Sequence, residues 1–120
     1  HDNFFEKIYN EWKDIENKIR DYLNRYEKLK EKYEFLYNLA SRANLSKDEI
    51  EKYKWLLLDF YEIKCGHISG FSFRFEEEEE KEIKEIIERI VKAVYELGIN
   101  VNLDINPYKN RITISIWNNY

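Results

Sequence analysis

The stretch NFFEKIYNEWKDIENKIRDYLNRYEKLKEKYEFLYNLAS, residues 3–41, decides the architecture. Phe5, Ile8, Trp12, Ile15, Ile19, Tyr22, Tyr26, Leu29, Tyr33, Leu36 and Ala40 follow one another at alternating gaps of three and four residues, without a slip. A repeat of this kind marks a helix that lies against another helix along one narrow seam. With Phe5 at heptad position a, Trp12, Ile19, Tyr26 and Tyr33 also fall at a, while Ile8, Ile15, Tyr22, Leu29 and Leu36 fall at d. Asn3, Asn10, Asn17, Asn24 and Asn38 all fall at f, on the opposite side, as a solvated back face requires. The spacing predicts one helix from about Asn3 to Ser41, roughly 55–60 Å long. Phe35, Tyr37 and Leu39 widen its apolar face near the end, so this end is expected to enter a broader core.

Downstream, Ser41 to Leu45 reads as a connection, and Ser46-Lys47-Asp48-Glu49 as a capping box. A second helix over Lys47 to Lys64 carries Ile50, Tyr53, Leu57 and Phe60 as a stripe. Trp55, Leu56, Leu58, Tyr61 and Ile63 make it apolar nearly all round. Such a helix is buried on more than one side, which places it between helix one and the C-terminal sheet. Gly66 is its stop. Phe71, Phe73 and Phe75 alternate as a strand, with Phe73 expected to face the third helix, and Gly70 suggests a bulge or a close approach of another backbone. Glu76 to Glu80 opens helix three, whose buried face is Ile83, Ile86, Ile87, Ile90, Val94 and Leu97. Ile99 to Ile105 and Ile112 to Ile116 alternate as two further strands around the turn Asn106 to Asn110.

The class is therefore α+β. A long N-terminal coiled-coil-like helix and a shorter antiparallel helix form a helical hairpin, and a β-α-β-β unit with a three-stranded sheet follows. Residues 1–65 read as the hairpin arm and 66–120 as a head packed on it, one cooperative unit whose strand order stays open.

Composition narrows the function classes. The 120 residues carry a formal net charge of -4, which argues against the usual basic nucleic-acid module. No run approaches the ~18 apolar residues of a membrane span. A lone Cys65 excludes an internal disulfide framework, so an intracellular setting is expected. Met and Gln are absent while Lys and Glu abound, a thermophile's pattern that would suit an archaeal or viral origin.

Helix two is about half as long as helix one and, folded back, is expected to cover Tyr22 to Ala40. Phe5, Ile8, Trp12, Ile15 and Ile19 then need cover from the sheet, a second copy or a different protein. Positions g carry Glu11, Lys18, Arg25 and Lys32, and positions e carry Glu16, Leu23 and Lys30. A parallel in-register dimer would oppose Glu11 to Glu16 and Arg25 to Lys30. An antiparallel one brings Glu11 to Lys32 and Glu16 to Lys30, leaving Lys18 and Arg25 as the poor match. Such pairs choose orientation more than they set affinity. The expected partner is a second chain, antiparallel through helix one, or a protein partner. The interface residues are Phe5, Ile8, Trp12, Ile15, Ile19, Tyr22 and Tyr26.

Chemistry-bearing motifs are weak. Glu62-Ile63-Lys64 with Asp48 or Asp59 matches a carboxylate-x-Lys nuclease element only superficially, since Glu82-Ile83-Lys84 repeats it on another helix. Cys65 and His67 could supply two zinc ligands where a structural site uses four. Cys65 reads instead as a small buried apolar residue. Arg74, Tyr108, Lys109, Arg111 and Trp117 could form a basic-aromatic patch for single-stranded nucleic acid, as could Lys18, Arg25, Lys28, Lys30 and Lys32 on one face of a dimer. No cofactor, metal or catalytic residues are expected. A non-enzymatic interaction or assembly module leads, a nucleic-acid-associated protein comes second, and an enzyme is least favoured.

Overall fold

The computed structural model describes residues 2–117. Helix α1 spans Asp2–Arg42, α2 Lys47–Lys64, β1 Gly70–Arg74, α3 Glu80–Glu96, β2 Val101–Asn106 and β3 Arg111–Ile116. This is the α+β class that the periodicities imply, with the long N-terminal helix uninterrupted. Contacts divide the chain into two units, one running to Glu34 and the other beginning at Phe35.

The second unit holds the core. Phe35, Leu39, Ala40 and Ala43 enter it from the end of α1, and Tyr53, Leu56, Leu57, Phe60 and Ile63 from α2. Ile83, Ile86, Ile87, Ile90 and Val94 come from α3, and Val101, Ile112 and Ile114 from the sheet. Tyr61 of α2 meets Phe35 with ring centroids 5.7 Å apart. Phe60 and Trp55 meet Phe71 and Phe73 of β1 edge-to-face at 5.3 and 4.9 Å. Helix α2 thus lies between the last turns of α1 and the sheet. Phe73 is on the inward face as its alternation requires, and its ring packs edge-to-face on Trp55 of α2.

The sheet order is β1-β3-β2, and both outer strands run antiparallel to β3. Phe71, Ile114 and Leu103 share one row of the inward face, and Phe73, Ile112 and Ile105 the next. A Cβ on Gly70 would stand 2.5 Å from the Ile114 carbonyl oxygen, so the close backbone approach read from the sequence is present. Each helix ends with a left-handed residue (Asn44, Gly66 and Gly98) followed by paired Schellman hydrogen bonds. The glutamate run departs from expectation. Glu77–Glu79 forms a separate 3-10 turn, with no side chain capping it, before α3 begins at Glu80.

The α1–α2 corner is fixed by side chains. Ser46 Oγ accepts from the Glu49 amide at 3.1 Å, and Glu49 Oε1 accepts from the Ser46 amide at 2.8 Å, completing the capping box. Arg89 of α3 donates from Nε to the Ala43 carbonyl at 3.0 Å, from Nη1 to Glu49 at 3.2 Å and from Nη2 to the Asn44 carbonyl. One guanidinium therefore joins the end of α1, the start of α2 and the middle of α3. The Ser46 amide, helped by Arg89 against the opposing effect of burial, holds the Glu49 carboxyl below its ordinary value of 4.5.

Arg89→Ala is expected to lower unfolding free energy by about 2–3 kcal/mol in urea titrations, since it strips charged hydrogen bonds and leaves Glu49 partly desolvated. The Glu49 contribution is present above the usual carboxylate range and fades as pH falls through the depressed folded value. Wild-type stability should therefore drop on acidification below about pH 4.5, and Glu49→Gln should flatten that slope. Gly70→Ala should cost about 1–3 kcal/mol by overpacking against β3.

Candidate interaction face

Every heptad residue from Phe5 to Tyr33 is exposed. Phe5, Ile8, Trp12, Ile15, Ile19, Tyr22, Tyr26, Leu29 and Tyr33 show between 49% and 73% of their surface. The expected cover of Tyr22 to Tyr33 by α2 is therefore corrected. Burial on α1 is continuous only from the turn that carries Phe35 and Leu39, because α2 spends its apolar circumference on the sheet, on α3 and on those last turns. The uncovered face is longer than the helix lengths alone suggested.

It is also wider. Tyr9, Leu23 and Tyr37 are exposed large apolar residues spaced by fourteen, all at heptad position e. The a/d reading leaves out Tyr9, although the same heptad frame places it beside Leu23 and Tyr37. With positions a and d they make a stripe about 100° wide, broader than a strict two-position seam.

The rod carries a charge gradient along its length. Residues 2–17 hold five acids (Asp2, Glu6, Glu11, Asp14, Glu16) against Lys7 and Lys13, a net of -3. Residues 18–34 hold six bases (Lys18, Arg20, Arg25, Lys28, Lys30, Lys32) against Asp21, Glu27, Glu31 and Glu34, a net of +2. Some charges pair within the helix: Lys18 with Asp14 at 3.0 Å, and Glu16 with Lys13 and Arg20 at 3.6 and 3.4 Å.

The basic-aromatic patch is only partly assembled. Arg74 of β1 sits directly opposite Arg111 of β3, and Asn106 of β2 completes the row on the outward face. Among the described residues neither arginine has an ion-pair partner, and Arg111 Nε is buried without an acceptor. Lys109 and Tyr108, the latter 97% exposed, lie in the adjoining turn. Trp117 lies past the opposite end of β3, roughly 20 Å along the strand from Arg111. Four of the five residues are therefore gathered and the fifth is not.

Elsewhere the structure offers little chemistry. The Glu62 carboxylate is engaged by His67 Nδ1 at 2.7 Å, and the Lys64 ammonium lies 5.2 Å from the Phe35 ring centre. Burial, reinforced by Glu62, raises the Asp59 carboxyl above its usual range. Cys65 is exposed at the C-cap of α2, not buried, because its backbone is claimed by the helix end and its side chain falls outside the stripe. Among the described residues no group of three His, Cys, Asp or Glu side chains is placed to hold a metal ion. None of the described helices is long and apolar enough to cross a membrane. A cavity of about 180 Å³ opens beside Tyr53, Trp55, Phe73 and Phe75. The Tyr53 hydroxyl is buried with the Glu82 carboxylate nearby, and desolvation together with that carboxylate keeps it far above its ordinary pKa.

Comparison with protein-family models, with curated proteins and with solved structures finds no match.

Tyr53→Phe is expected to change stability by no more than about 1 kcal/mol, because the buried hydroxyl has lost water and its neighbour Glu82 already accepts from Lys52 at 3.0 Å. A loss of more than that would mean the hydroxyl is held. Arg74→Glu should convert the like-charged cross-strand pair with Arg111 into an attractive one, worth about 0.2–1 kcal/mol in a denaturation midpoint.

Proposed function

We propose that this chain is a non-enzymatic interaction module that associates through the heptad face of α1, with an antiparallel second copy as its leading partner. The observation that carries this reading is the unbroken exposed stripe from Phe5 to Tyr33 on a helix of 41 residues. Covering the exposed part of nine large apolar side chains is worth on the order of 10 kcal/mol per chain, enough to offset the freedom lost on association. An apolar face so large marks an interaction site on a protein of this size. The body supports the rod by anchoring its last turns in a packed core.

The second reading is association with single-stranded nucleic acid. It is favoured by the Arg74–Arg111 row, which has no acidic partner among the described residues and adjoins Tyr108 and Lys109. It is opposed by the net charge of -4.

Sedimentation of the wild-type chain should show an assembly larger than 14.9 kDa at micromolar concentration, with a melting temperature that rises with protein concentration. Trp12→Glu with Ile19→Glu should give a folded monomer with its body intact. A chain that is monomeric at every concentration, binds no protein and is indifferent to those changes removes the leading reading. Salt-sensitive binding of an oligonucleotide that is lost in Arg74→Glu/Arg111→Glu would move the assignment to the second.

A further inference from the structure

Building on association through the heptad face, we infer that the occupant is a second copy in antiparallel register, with the molecular two-fold axis passing beside Leu23. The row at heptad position e is Tyr9, Glu16, Leu23, Lys30 and Tyr37. Reversed about its centre it is complementary to itself. Leu23 meets the Leu23 of the other chain, Glu16 meets Lys30, Lys30 meets Glu16, and each Tyr9 meets a Tyr37. All three apolar members stand exposed in the single chain, and none belongs to the a/d set. Antiparallel pairs of helices bring e rows together along one flank, so this register covers the three apolar residues that a narrower seam leaves bare. A parallel pair does the reverse, because it sets Glu11 against Glu16 and Arg25 against Lys30.

A second observation points the same way. With the axis beside Leu23, residues 2–17, at a net of -3, face residues 29–44, where Lys30, Lys32 and Arg42 outnumber Glu31 and Glu34. Along the other flank the basic residues Lys18, Arg25 and Lys32 come near one another, the poor match of this register, and Lys18 has Asp14 beside it at 3.0 Å to soften that contact. A foreign helix would need no such symmetry in the sequence. A self-complementary row is what a two-fold interface demands, since each residue there faces the residue that its own copy supplies.

Charge reversal tests the register. Glu16→Lys should weaken the dimer about tenfold by sedimentation equilibrium, and adding Lys30→Glu should restore it. The single change also forfeits contacts to Lys13 and Arg20 within the helix, which the second change cannot return, so rescue reports the pair between chains. A parallel dimer gives the opposite sign, because Glu16→Lys would relieve its contact with Glu11. Leu23→Cys in a Cys65→Ser background should form a covalent dimer readily on oxidation, whereas Glu11→Cys in that background should not. Tightening by Glu16→Lys, absence of rescue, or cross-linking through Glu11→Cys but not Leu23→Cys overturns the register and leaves association standing. A wild-type chain that never dimerises overturns the association itself.

Discussion

The Arg89 guanidinium is the interaction on which the body depends most. Three helices converge where Ala43, Asn44 and Glu49 meet it. Left alone, that corner would bring together the unpaired carbonyls at one helix end and the unpaired amides at the start of the next. Ser46 and Glu49 satisfy the amides, and Arg89 satisfies two carbonyls while countering the Glu49 charge. Because Asn44 already occupies the left-handed turn conformation, the chain reverses there and nowhere earlier. The position of that reversal determines which turns of α1 reach the core. Phe35, Leu39, Ala40 and Ala43 do, and the repeat that precedes them continues with no core of its own.

One periodicity therefore serves two environments. The same alternation of three and four residues that buries Leu39 leaves Trp12 and Ile15 in contact with water. Nothing in the local pattern distinguishes the two halves of the helix. The difference lies in what the second unit supplies, and that unit has spent the apolar circumference of α2 on α3 and the sheet. An interaction role rests on this imbalance between a stripe of fixed chemistry and a partner surface that covers only its end.

Much of this was legible in the residues. The capping box, the glycine stops, the bounds of α2, the alternating strands and the inward rank of Phe71 and Phe73 all follow from rules that act over a few positions. What was not legible depends on pairing between distant segments. Strand order could not be read, because β1, β2 and β3 carry equally good alternation and the order is set by pairing between segments distant in sequence. Cys65 was taken for a buried residue on its chemistry alone, whereas its place at a helix end decides its exposure. At the candidate face the a/d residues are legible directly, Tyr9 falls outside so narrow a heptad template, and the extent of exposure needs the fold.

The strand order has a consequence for how the molecule is made. β3 is the only strand that either neighbour touches, and it is synthesised after both of them. During translation β1 and β2 have no ladder to join, and α3 has no completed sheet to lie on, until residues 111–116 leave the ribosome. The long helix forms from local contacts well before that moment. A nascent chain would thus display the apolar stripe of its long helix while its sheet is still incomplete.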